Sequence, residues 1–362
     1  MIAIYAERLK KRGHTVLLIH PPNRPMPFKY RIKSWVSGRG WPRIPLVYPS
    51  HLDGLVVPRK VLETWRPIVA DDLPDADVVI ATWWETAEWV AKLPSTKGAK
   101  VYFIQHYEIH EGQPVDRVKD TWRLPMQKIV VARWLSDVAE QSFGDATALV
   151  VPNSVDLRQF DAPPRGKQEA PTVGFMYSTE TWKGSDIAAA AIEKARERVP
   201  TLKAVAFGMM EICPSLPLPA NTEYFQLPQQ DRLREIYSQC DAWLVPSRSE
   251  GFGLPILEAM ACRTPVIASP TGAAPELTAR GGGRLFKQGD PADAARAIEQ
   301  LVSLDDQSWR AMSDSAYQTA HGYTWEDAVE LFENALHSAV ERARRTTGSV
   351  HPVESNREDV RC

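Results

Sequence analysis

The segment SEGFGLPILEAMACRTPVIASPTG, residues 249–272, constrains this chain more than any other. An apolar run from Ala242 to Val245 leads into a loop holding Gly251 and Gly253, then into a helix expected to open on Pro255. A helix N-terminus leaves its first amides unpaired and carries a partial positive charge, so phosphate groups bind there. Proline suits the first helical position because its missing N–H costs nothing there. The amides left to face an anion are then those of Phe252, Gly253 and Leu254, and Gly251 and Gly253 let the backbone come close to a ligand. Glu258, in the first turns, only accepts hydrogen bonds when ionised and suits a cis diol such as a ribose. Glu250 stands eight positions earlier, before the helix, and reaches a different part of a ligand. The pattern fits a nucleoside diphosphate whose sugar must also be held. On spacing alone, a helix with an acidic, glycine-rich entry fits it equally.

A chain of 362 residues exceeds one ordinary domain, and two is the default. Strands are expected at 15–19, 77–82, 101–105 and 146–151 in the first half, with helices at 2–12, 84–93 and 129–142. In the second half strands are expected at 172–175, 203–207, 223–226, 242–245 and 265–268, with helices at 184–198, 230–239, 254–262 and 291–303. Such alternation implies an α/β fold of two Rossmann-like doubly wound domains with parallel sheets, whose ligands bind at the carboxyl ends of the strands. The expected boundaries are 1–155 for the first domain and 156–171 for a Pro-rich polar linker. A second domain follows at 172–322, then a last helix at 323–344 packing back toward the first domain, and a polar, disordered tail at 345–362. A doubly wound domain normally opens with a strand and a glycine turn. This chain opens inside a helix, so the first domain is expected to lack its N-terminal strand.

Composition excludes several classes. The net charge of −2 gives no global pull toward nucleic acid. No apolar run reaches transmembrane length, and no secretory signal leads the chain. Cys213, Cys240, Cys262 and Cys362 have no metal-ligand spacing; Cys240 and Cys262 read as reduced core residues, which fits a cytoplasmic protein. No Gly-x-Gly-x-x-Gly follows an early strand, which argues against a nicotinamide oxidoreductase.

The segment around Glu250-Gly251-Phe252-Gly253-Leu254-Pro255 and Glu258 resembles the donor-site motif of the retaining family 4, or group 1, glycosyltransferases of the two-domain GT-B type. The resemblance implies that Glu258 binds the ribose, that Glu250 contacts the transferred sugar, and that Gly251, Phe252, Gly253 and Leu254 lie near the phosphates. Local matches span most of the chain. Pro152, Asn153, Val155, Asp156 and Phe160 resemble the family hinge, with Ser154 where glycine is usual. Trp182-Lys183-Gly184 resembles the Lys-Gly after the first strand of the donor domain, where Lys183 would neutralise the diphosphate as a point charge. The arginine that often follows that strand is replaced by Phe175, and Arg248 is the candidate substitute. Arg263 stands where the family tends to have glycine. If the backbone there needs positive φ, arginine costs on the order of 1 kcal/mol. His106, in the run YFIQHYEIHEG, resembles the first-domain histidine that faces the donor sugar. His106 and His110, with Glu108 and Glu111 nearby, also invite a metal reading. A zinc pair needs both histidines on one helical face, and this stretch leaves a strand.

From Arg8 to Leu52 there is no acidic residue, while ten are Lys or Arg, and Phe28, Tyr30, Trp35 and Trp41 are interleaved with them. The stretch 24–43 reads as an acceptor loop, as a peripheral contact with anionic lipid on the inner face of a membrane, or as a solvated basic loop.

The resemblance implies a glycosyltransferase that moves a sugar from a nucleoside-diphosphate-sugar donor to a glycan or lipid-linked acceptor. The anomeric configuration would be retained, with no metal and no further cofactor. The expected catalytic residues are His106, Glu250 and Lys183, with Glu258, Phe252, Gly253, Leu254, Gly251 and Arg248 binding the donor. The alternatives are a truncated or non-catalytic nucleotide-sugar-binding protein of the same fold, and a polysaccharide synthase or phosphorylase on the same architecture, the phosphorylase needing pyridoxal phosphate on a lysine.

Overall fold

The computed structural model describes residues 1–26, 28–39, 52–110 and 112–348. Trp41, Arg43, Glu111 and the tail beyond 348 therefore lie outside the described residues. Backbone contacts divide the chain into two compact units. One holds residues 2–103, 124–127 and 332–362, and the other Met1, 104–123 and 128–331.

The smaller unit opens with α1 (Ile2–Lys11), which turns Tyr5, Ala6 and Leu9 inward. β1 (Leu18–His20) and α2 (Phe28–Ser34) follow, and then β2 (Arg59–Val61), which pairs in parallel with β1. β3 (Val78–Ala81), α3 (Trp84–Ala91) and β4 (Ala99–Ile104) form a strand–helix–strand unit with parallel pairing. β4 is buried along almost its whole length, as a strand covered on both faces must be.

The larger unit starts with α4 (Val115–Thr121). β5 (Gln127–Val130), α5 (Arg133–Phe143) and β6 (Leu149–Val150) form a second parallel pair around a helix. The helix expected over 129–142 is thus a strand and then a helix. The apolar run Ile129-Val130-Val131 has no period of its own, so a buried strand and a buried helix look alike there. α6 (Leu157–Phe160) lies in the expected linker, capped by the Asp156 carboxylate on the Arg158 amide.

Beyond it, β7 (Thr172–Tyr177), α7 (Ser185–Arg196), β8 (Lys203–Gly208), β9 (Thr222–Gln226), α8 (Leu233–Ser238), β10 (Ala242–Val245), α9 (Leu254–Ala261), β11 (Val266–Ala268), α10 (Ala274–Thr278), β12 (Gly283–Leu285) and α11 (Pro291–Val302) build one all-parallel sheet with its helices. The strand order is β12-β11-β10-β7-β8-β9. The chain runs outward from β7 through β8 to β9, then crosses back to β10 on the other side, which makes the β7/β10 junction the topological switch point. A core of Val173, Phe175, Ile192, Leu244, Ile267 and Ile298 fills the space between sheet and helices. Phe175 is fully buried inside β7, which runs on to Tyr177, so it does not stand after the strand as the sequence had suggested.

α12 (Asp306–His321) is a helix beyond those expected from the sequence, and the Asp305 carboxylate caps it on the Ser308 amide. α13 (Trp325–Gly348) ends the described chain and includes the first four residues of the expected disordered tail. From Phe332 on it belongs to the smaller unit. There the Phe332 ring lies 4.4 Å from Tyr5 and 5.0 Å from Phe103, and Glu333 bonds Arg12 and His14. No helix among the described residues is long and apolar enough to cross a membrane.

Candidate active site at the switch point

The crevice at the carboxyl ends of β7 and β10 is where an open parallel sheet of this order binds ligands. β10 is buried on both faces and ends at Val245. Its exit loop, 246–253, carries the residues singled out by the sequence. α9 begins on Leu254 rather than Pro255, which is second, and Gly253 is its N-cap with φ 98°. That backbone angle is open to glycine and strained for other residues. No side chain caps α9; the Ile256 amide bonds the Gly253 carbonyl at 2.9 Å and Pro255 has no N–H, which leaves the Gly253 and Leu254 amides to face a ligand.

Three of the expected residues come together. The Lys183 ammonium, in the turn after β7, donates to Glu250 Oε1 at 2.8 Å, and Ser247 Oγ donates to the same oxygen at 2.8 Å. Glu250 is only 8% exposed, so this is a shielded pair rather than a surface one. His106, just past β4, places Nε2 3.1 Å from Ser249 Oγ. Burial pushes the His106 imidazole below its ordinary value, against the opposing pull of the Glu250 charge, which favours the neutral ring at pH 7. His110 lies 6.0 Å from the His106 ring and stacks on Trp182 at 4.9 Å.

Gly251 is the point of closest backbone approach. A Cβ built there would lie 1.8 Å from the Gln105 carbonyl oxygen. Its own carbonyl accepts a 2.7 Å bond from the Trp134 indole. Phe252 turns its ring into the core, 4% exposed, so only its backbone can serve a ligand. Leu254 is half-buried at the helix start.

Two expected residues have side-chain partners other than Lys183 and Glu250. Arg248 is held by both oxygens of Asp186, at 2.9 and 2.6 Å, and by the Thr181 carbonyl at 2.7 Å. Glu258, half-buried on α9, accepts a 2.7 Å bond from the Tyr237 hydroxyl. Burial raises the Glu258 carboxyl above its ordinary value, and the Tyr237 bond opposes that. Ser247, Ser249, Trp134 and Tyr237 went unnoticed in the sequence. The two serines lie inside or beside the motif and could have been weighed. Trp134 and Tyr237 carry no local signal.

Residues 158–319 match the family model of group 1 glycosyl transferases. The chain carries a group 1 glycosyltransferase domain. Its curated relatives include a D-inositol 3-phosphate glycosyltransferase of Corynebacterium jeikeium, 40% identical over 31% of this chain and 26% of that protein. The chain spans between 26% and 50% of the length of such relatives. Two solved structures share the fold. Sucrose-phosphate synthase of Thermosynechococcus elongatus has a TM-score of 0.65 at 16% identity, covering 95% of this chain and 92% of that one. Anabaena HepE, solved with UDP and glucose, has a TM-score of 0.64 at 18% identity, covering 93% and 100%. The two-domain GT-B architecture expected from the sequence is therefore the architecture this chain shares with those structures.

Arg263 stands where the sequence resemblance implies glycine. Here φ is +58°, the left-handed region in which glycine is usual. The guanidinium is nonetheless well held. It lies 3.8 Å over the Tyr317 ring, donates to the Ala162 carbonyl at 3.0 Å and pairs with Asp314.

Proposed function

We propose that this protein transfers a sugar from a nucleoside-diphosphate-sugar donor to a glycan or lipid-linked acceptor, with retention of anomeric configuration. The observation that carries the reading is the Lys183–Glu250–His106 group, gathered at the switch point beside an uncapped helix start. The activity named for the Corynebacterium relative and the UDP and glucose in the HepE structure support the same donor class.

Departure of the diphosphate builds negative charge. Lys183 and the amides of Gly253 and Leu254 would stabilise it, which lowers the barrier where charge develops. Glu250 would hold the sugar, Glu258 the ribose, and neutral His106 a sugar hydroxyl or the anomeric carbon's developing charge. The reading calls for no metal. The Lys183–Glu250 bond then has to loosen as the donor enters, because both partners are assigned to it. In the smaller unit, α2 exposes Phe28 (66%) and Tyr30 (52%) among Lys29, Arg31 and Lys33, with Trp35 just beyond. That combination supports peripheral contact with an anionic membrane.

Thermal unfolding with UDP, GDP, dTDP or ADP, each with EDTA, tests the donor site on the parent and on Glu258→Ala. A ligand at a hundred times its dissociation constant adds about 2.7 kcal/mol of stability. Stabilisation by one nucleotide, weakened in the mutant, is the expected result and names the base. No stabilisation by any of them would overturn the donor-site reading.

A further inference from the structure

The hydroxyl of Tyr237 is an element of the site that the proposed mechanism leaves unused. It is buried with its whole ring, yet donates to Oε2 of Glu258 at 2.7 Å. Its ring cannot turn away. It packs edge-on against Trp243 at 4.4 Å, with Phe207 at 5.8 Å and Phe160 at 6.0 Å. A phenol clamped on three sides fixes its hydroxyl in space, whereas a glutamate side chain has three rotatable bonds and many rotamers.

We propose that Tyr237 is a positioning residue for donor recognition: it anchors one oxygen of Glu258 so that the other faces the two ribose hydroxyls. The proposal rests on the reading of Glu258 as the ribose acceptor. Anchoring gives a rotamer chosen before the ligand arrives, so less entropy is lost on binding. It also fills one acceptor site of a carboxylate that has left bulk water, and favours its ionised form. α8 brings the tyrosine and α9 the glutamate, so the packing of these two helices sets the pair. The other titratable groups around it are the thiols of Cys240 and Cys262, which burial pushes up and keeps neutral. Arg165, Arg234 and the Glu258 charge itself act on Cys262.

The test measures binding of UDP, GDP and ADP against their 2′,3′-dideoxy counterparts, from pH 5 to 8, for the parent, Tyr237→Phe and Glu258→Gln. The parent should prefer the ribonucleotide. Tyr237→Phe keeps the ring and should lower that preference about tenfold, the weight of one hydrogen bond to a charged group. Without the donated bond Glu258 protonates at higher pH, so the preference should fade at higher pH than in the parent. Glu258→Gln still accepts from Tyr237 and should lose the pH dependence. An unchanged ribose preference and pH profile in Tyr237→Phe would overturn the positioning role while leaving the ribose reading intact. A parent blind to the ribose hydroxyls would overturn that reading, and the positioning role with it.

Discussion

Arg263 offers the sharpest separation of backbone strain from side-chain contact, through the pair Arg263→Ala and Arg263→Gly. Both substitutions delete the same contacts. The guanidinium bond to the Ala162 carbonyl contributes about 1.5–3 kcal/mol and the Tyr317 stacking about 0.5–2 kcal/mol. The Asp314 partner is 59% exposed and adds at most about 1 kcal/mol after solvent screening. Alanine should therefore cost about 2–6 kcal/mol in all. The backbone then divides the two variants. At φ +58° a Cβ costs roughly 1–2 kcal/mol, which glycine avoids. Glycine gives back about 0.4–1 kcal/mol through its freer unfolded chain. Arg263→Gly should thus be less stable than the parent but more stable than Arg263→Ala by roughly 1 kcal/mol. Urea unfolding followed by tryptophan fluorescence reads this as a shift in midpoint at constant slope. An alanine variant as stable as the glycine variant would refute the claim that arginine occupies a strained position.

Three other outcomes follow from particular contacts. Gly251→Ala drives a methyl into the Gln105 carbonyl, so the two segments must part. We expect about 1–3 kcal/mol of destabilisation and loss of nucleotide binding in calorimetry; full binding would show that the close approach is not needed. Asp72 is held at about 2, first by the hydrogen bond from Arg66. A depressed carboxyl stabilises the fold above its unfolded value near 3.8 and loses that contribution as pH falls toward 2. Asp72→Asn should therefore be less stable than the parent at pH 7 and equal to it only once the pH has fallen well below 2; a gap of undiminished size there would argue against the ion pair as its source. If α2 touches lipid, sedimentation with phosphatidylserine vesicles should capture the parent, and a Phe28→Ser/Trp35→Ser variant far less; capture equal to that on phosphatidylcholine would refute anionic recognition.

The second half of the protein is legible because its signals are local. A strand, two glycines and a helix start lie between Ala242 and Leu254, and the structure returns β10, Gly253 as N-cap and α9 there. The Glu250–Lys183 pair was foreseen only as two residues with separate duties, since 67 positions divide them. β5 was misread because three consecutive apolar residues carry no period. α12 was overlooked, although its capping aspartate was in view. Arg263 stands out in the sequence where glycine is expected, and its φ is positive.

Sequence alone determined the chemistry available at the switch point, because helix starts, glycine freedom and carboxylate spacing are properties of neighbouring residues. Tertiary structure alone decided how that chemistry is arranged. It pairs Lys183 with Glu250, turns Arg248 to Asp186, sets Tyr237 against Glu258 and brings Gln105 onto Gly251. Each of these contacts joins side chains or backbone far apart in the chain. Their partners are selected by the β7/β10 crossover and by helix packing, and neither leaves a trace in the identity of any single residue.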